Sequence, residues 1–284
     1  MLRQILVALS LLVSGCQTAP AALSPVTVVP LNHLPALAGG YFPMTSSKTG
    51  TNYHIYLRLP DGYEANPNKK YPVVYLLDGD STFPFLASTH LFLTYDDNLP
   101  EAIIVGIAYG SFDPAINKRD IDFSATSNNK ERPAGAPQFL QFLSAELLPS
   151  IDRQYRTNPD QRILIGQSRA AYFVLYSAFA DPSLFRGRIA SNPGMREGEQ
   201  QFLRATNETN HPNLKLVLSS GTKDRQHNRE IAQKLKVIFS ASDAQLPWTF
   251  ISLEIEDGTH AADIGRVYRI AMKTILGTTD NPTK

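Results

Sequence analysis

Residues 162–179, RILIGQSRAAYFVLYSAF, constrain this chain more than any other stretch. A short apolar run breaks at Gly166-Gln167-Ser168-Arg169-Ala170 and resumes as an apolar-rich segment of helical character. A chain that turns so sharply from strand to helix holds the residue at the bend in a sparsely populated conformation, and only small side chains fit two positions to either side. Gly166 and Ala170 meet that requirement, so Ser168 is the candidate nucleophile. The alternative is a serine that merely caps the helix beginning beside it. The surrounding sequence has to decide between them.

Seven stretches, the opening of this one among them, are short, β-branched or aromatic, and bounded by Gly, Pro, Asp or Asn: 53–59, 73–77, 102–108, 162–165, 188–191, 214–219 and 248–255. They read as strands. The first alternates as a half-exposed edge strand does, whereas 73–77 and 102–108 are nearly continuous, as strands covered on both faces are. Two stretches between the later strands carry helical stripes: Leu140, Leu143, Leu147 and Ile151 within 137–155, and Ile231, Leu235, Ile238 and Phe239 within 228–240. Strands alternating with such helices predict an α/β fold, a mostly parallel central sheet flanked by helices. With 284 residues, 43% of them apolar, one domain over 40–277 is expected. Residues 111–136 are polar and follow a buried strand at the end where such sheets bind ligands. They read as a loop over the mouth of the site, or as an ordinary surface excursion.

The first sixteen residues, MLRQILVALSLLVSGC, place one basic residue before a short apolar run that ends in Ser14-Gly15-Cys16. That run is too short to span a bilayer and has the layout of an export signal. Its end resembles the lipobox of bacterial lipoproteins, which implies removal of residues 1–15 and acylation of Cys16, the one cysteine of the chain. The alternative is a plain signal peptide or a buried amino-terminal helix. The expectation is an envelope protein held to the membrane through its lipid alone, in the outer membrane facing the periplasm. Residues 16–39 read as a tether and 278–284 as a tail. Losing Arg3 leaves 26 basic and 26 acidic side chains, a balance that argues against nucleic acid as a partner.

A serine nucleophile needs a base, a carboxylate to orient that base, and N–H donors for the oxyanion. His260 alone among the histidines follows a strand at the correct end. Asp224 follows the preceding strand and is the expected orienting acid, in the chain order Ser168, Asp224, His260. Asp257 and Glu256 are rivals on the histidine's own loop. The expected oxyanion donors are the N–H of Arg169, just after the nucleophile, and that of Asp80 in Asp78-Gly79-Asp80-Ser81, with Ser81 as the next choice. Asp224, His227 and Glu230 also admit a reading as metal ligands, but the cations interleaved with them favour a solvated helix start. No metal and no cofactor is called for.

The sequence resembles the "putative esterase" branch of the α/β-hydrolases, which includes bacterial siderophore esterases. The resemblance runs from about Gly40 to Leu276 and rests on 56–63, 71–79, 119–123, 163–171, 221–224 and 258–260. It implies an acyl-enzyme on Ser168 that water releases, and a small-molecule ester as substrate, siderophore-like or anionic. Acyl transfer to an alcohol, or binding without turnover, are the alternatives. The chain departs from the family pattern at Gln167, Arg169 and Ala170, where His, an apolar residue and Gly are usual. Arg169 either favours an anionic substrate or is paired away from the site.

Overall fold

A computed structural model describes residues 34–127, 133–195, 213–240 and 248–277. Eight strands form one sheet: β1 (Gly39–Thr45), β2 (Asn52–Arg58), β3 (Tyr71–Leu76), β4 (Ile103–Ala108), β5 (Thr157–Gln167), β6 (Gly187–Ser191), β7 (Lys215–Gly221) and β8 (Thr249–Ile255), in the order β1-β2-β4-β3-β5-β6-β7-β8. Strands β1, β2 and β4 pair antiparallel, and from β4 through β8 every pairing is parallel. The α/β expectation therefore holds, with two antiparallel strands added at one side.

Among the described residues, seven helices connect and cover the strands: α1 (Gly79–Asp96), α2 (Arg119–Asp122), α3 (Ala136–Gln141), α4 (Leu148–Gln154), α5 (Arg169–Ala180), α6 (Gln226–Ser240) and α7 (Ile264–Leu276). A π-helical stretch, Phe142–Leu147, joins α3 to α4 without a break, so the stripe of Leu140, Leu143, Leu147 and Ile151 faces one core throughout. Alternate residues of each central strand feed different cores. Val73, Tyr75, Val105 and Leu164 join the α3–α6 side, while Val74, Leu76, Ile104, Ile163 and Ile165 pack with α1 and α7. Burial on both faces explains the uninterrupted apolar runs of the sequence.

Strand β1 has no counterpart among the stretches read as strands. Its sequence, GGYFPMT, carries two glycines and a proline, all poor strand formers, and proline is admitted only where one side of a strand is unpaired. A Cβ on Gly39 would lie 1.8 Å from the Leu57 carbonyl oxygen, so this backbone approaches β2 as only glycine permits. Consequently β2 is covered by β1, and β1 is the edge strand. Packed structure is present before Gly40 as well: a 3-10 turn at Pro35–Leu37 buries Leu37 among the α1 side chains. Cys16 and the tail from 278 lie outside the described residues.

Candidate active site

Strand β5 ends at Gln167 and α5 begins at Arg169, so a single residue makes the turn. That residue, Ser168, has φ 58° and ψ −117°, a conformation costly for anything but glycine. Its N–H bonds the Ser191 carbonyl at 2.9 Å, and its own carbonyl accepts from Tyr172 and from Gly194. A Cβ on Gly166 would come within 2.5–2.9 Å of Ala170. The small-residue requirement inferred from the sequence is thus a physical contact across the turn. Gly194, after β6, serves a comparable end: its added Cβ would lie 3.0 Å from Ser168 Oγ and 3.4 Å from Arg169 N.

Folding brings Ser168, His260 and Asp224 into one chain of hydrogen bonds. His260 Nε2 lies 2.8 Å from Ser168 Oγ, and its Nδ1 lies 3.0 Å from both carboxylate oxygens of Asp224. The Asp224 side chain has no solvent exposure, while that of His260 is a quarter exposed, as a base that must meet a substrate requires. Oδ1 of Asp224 also accepts from the Arg225 N–H at 2.6 Å and from Asn228 Nδ2 at 3.1 Å, which holds the carboxylate plane. The rival Asp257 turns outward to pair with Lys223 at 2.6 Å, both side chains being largely exposed. Its own φ of 57° shapes the turn instead. Two glycines let the loops after β7 and β8 close on each other, since a Cβ on Gly221 would sit 2.4 Å from the Gly258 carbonyl oxygen. The alternative metal cluster does not assemble: Asp224 serves His260, and His227 Nε2 bonds the Met195 carbonyl at 3.2 Å.

Strand β3 lies beside β5, and the Leu77 N–H bonds the Ile165 carbonyl at 3.0 Å, so the turn opening α1 emerges next to Ser168. Asp78 adopts φ 53° there, and Asp80 sits in the first turn of α1, where N–H groups have no acceptor within the helix. The Asp80 carboxylate accepts from the N–H groups of Tyr109 and Gly110, each at 2.8 Å, which fixes the turn to the end of β4. Arg119 grips Asp78 through Nε and a terminal nitrogen, both at 2.8 Å. The polar stretch after β4 is therefore bound to the expected oxyanion turn. It is further moored by Asp122, whose carboxylate accepts from Tyr53 Oη at 2.7 Å and Tyr109 Oη at 2.9 Å. Burial pushes the Asp122 carboxyl up to about 6, against the downward pull of the two phenol donors.

Arg169 does not stand on the rim as an exposed charge. It is only 6% exposed, and its guanidinium bonds Ser124 Oγ at 2.5 Å, approaches the Gly194 carbonyl and lies over the Tyr172 ring. The residues that sequence reasoning passed over are Asn192, Asn228, Gly194 and the role of Arg119. Asn192-Pro193-Gly194, directly after a strand, is a turn signal at the ligand end of a parallel sheet and points to that loop. Asn228 carries no comparable mark.

The family described as "Putative esterase" matches residues 46–250, and the chain belongs to it. It is 28% identical over 226 residues to the ferri-bacillibactin esterase BesA of Bacillus subtilis, a match spanning 69% of this chain and 76% of that protein. Against the apo-salmochelin esterase of Escherichia coli it is 24% identical over 207 residues, 67% of this chain and 64% of the other. The crystal structure of the BES protein from Bacillus cereus superimposes with a TM-score of 0.74 at 21% identity, covering 90% of this chain and 99% of that one. The chain is a serine hydrolase that cleaves esters.

Proposed function

We propose that Ser168 is the nucleophile of this esterase, His260 its general base and Asp224 the carboxylate that orients the base. The hydrogen-bonded line from Asp224 through His260 to Ser168, at 3.0 and 2.8 Å, carries the reading. Ser168 Oγ bonds to the ester carbonyl carbon while its proton passes to His260 Nε2. The resulting oxyanion is met by the N–H groups of Arg169 and Asp80, each at the positive end of its helix. Collapse breaks the bond to the alcohol oxygen, which takes the proton from His260 and leaves an acyl-Ser168. Water then repeats the sequence, His260 removing its proton and returning it to Ser168 as the acid departs.

The substrate on this reading is a siderophore-like ester, as the names of the two related esterases suggest. The setting is the bacterial envelope, with Cys16 as the acylated anchor and the enzyme body in the periplasm; the apolar run ending in Ser14-Gly15-Cys16 supports this. Labelling by a fluorophosphonate, followed by peptide mapping, tests the chemistry: the adduct is expected on Ser168, and an adduct elsewhere overturns it. Metabolic labelling with an alkyne palmitate tests the anchor, with loss of label in Cys16→Ser as the expected result.

A further inference from the structure

Asn192 follows β6, is 1% exposed, and has φ 46°, in the left-handed region. Its main-chain N–H bonds the Ser219 carbonyl at 3.0 Å, which seats it against β7. Both ends of its carboxamide are used. Oδ1 accepts from the Gly221 N–H at 2.8 Å, in the loop that carries Asp224. Nδ2 donates to the carbonyls of Thr259 and His260, at 3.2 and 3.1 Å, in the loop that carries the base. A second amide, Gln167 Nε2, donates to the same His260 carbonyl, and Gln167 immediately precedes the nucleophile. Ser191 Oγ lies 3.5 Å from Gln167 Oε1 and faces it the right way round.

We propose that Asn192 and Gln167 form a two-amide clamp, which fixes the distance between His260 and Ser168 by holding the main chain of the base rather than its imidazole. The proposal rests on the triad reading above. The imidazole turns about two bonds, so its contacts with Asp224, Asn228 and Ser168 set its tilt, not the position of its Cα. The Cα is set by the loop, and the loop after β8 is otherwise tied to β7 through Thr222 and Lys223 N–H bonds, none of which reaches β5. Among the described residues, the Gln167 half of the clamp alone ties the main chain of the base to β5, the strand that delivers the nucleophile, while the Asn192 half ties it to the ends of β6 and β7. A displacement of about 1 Å at this joint is enough to cost on the order of 100-fold in rate. Gln167, where His is usual in the family, thereby has a definite task, and both residues are positioning residues.

The experiment compares Asn192→Gly, Asn192→Asp and Gln167→Ala. Glycine suits the left-handed backbone but removes every side-chain bond, so it separates strain from clamping. Aspartate keeps the acceptor for Gly221 but faces the Thr259 and His260 carbonyls with a negative charge. With p-nitrophenyl butyrate, Asn192→Gly is expected to lower kcat about 10- to 100-fold with KM changed less than about 3-fold. Gln167→Ala should lower it about 5- to 10-fold, and the double variant should lose less than the product, because both amides hold one carbonyl. In Asn192→Asp the acidic limb of the kcat/KM profile should move upward by about 0.5–1 pH unit, since an added negative charge near the imidazole favours its protonated form. Titration of the His260 imidazole by nitrogen-15 NMR reads the same shift without turnover and so is unaffected if the triad reading fails. Wild-type kcat in Asn192→Gly and Gln167→Ala, together with an unmoved His260 titration in Asn192→Asp, overturns the clamp.

Discussion

At Ser168 a single residue makes the whole turn from β5 to α5, and its φ of 58° is the clearest sign that function outranks local comfort at this point. Ser168→Ala should abolish fluorophosphonate labelling and lower kcat/KM at least about 1,000-fold while leaving the fold intact. Three carboxylates contended for the histidine in the sequence, Asp224, Asp257 and Glu256, and the structure turns Asp224 to the imidazole and Asp257 to Lys223. Asp224→Asn should lower kcat on the order of 1,000- to 10,000-fold, as expected when the base loses its tautomer control. Asp257→Asn should stay within about 2-fold of wild type, because it breaks only an exposed pair with Lys223. Steady-state kinetics on one ester decides both. All three residues of the candidate site were legible because each follows the carboxyl end of a parallel strand, which periodicity and turn residues reveal. Asn192 and Asn228 were not: a turn signal marks the loop of Asn192 but not the task of its amide, and Asn228, which bonds the Asp224 carboxylate, carries no mark at all.

Between elements, two arginines do what no apolar contact could. Arg188 on β6 is fully buried, and its guanidinium bonds the carbonyls of Ser177, Asp181, Pro182 and Phe185 together with Ser177 Oγ. It closes the carboxyl end of α5, where a cation also meets the helix dipole. Arg188→Ala would strand those carbonyls and should cost about 3–5 kcal/mol in urea denaturation, with kcat/KM of the folded protein within about 3-fold. Arg119 works at the mouth of the site. Arg119→Lys cannot grip Asp78 with two parallel bonds and should lower kcat about 10-fold with little change in melting temperature. The strands from β2 to β8 could be read in the sequence because burial on one face or both imprints a period. Strand β1 could not, since its glycines and Pro43 suppress that imprint and its place depends on a close approach to β2 that only the folded chain shows.

For the molecule as a whole, two buried groups oppose each other in acid. Burial raises the Asp122 carboxyl to about 6 from 3.8, so folding takes up a proton there and this group favours the native state increasingly as pH falls from 6 towards 4. Burial lowers His90 to about 4 from 6.5, where it bonds Tyr268 Oη and the Pro100 carbonyl, so folding expels a proton and stability drains away over nearly the same range. Each effect is worth up to about 3 kcal/mol and the two largely cancel. Asp122→Asn removes one side of the balance: between pH 6.5 and 4 its loss of stability should exceed that of wild type by up to about 3 kcal/mol, measured by denaturant titration across that range. The arrangement of the site carries a different consequence. Its hydroxyl follows the fifth strand and its imidazole follows the eighth, 92 positions later, and the two meet only when the parallel pairing of β7 with β8 has formed. A chain whose carboxyl-terminal part has not yet folded therefore carries the hydroxyl without the imidazole beside it. On the triad reading proposed above, hydrolysis therefore waits on the carboxyl-terminal pairing, wherever the chain completes its folding.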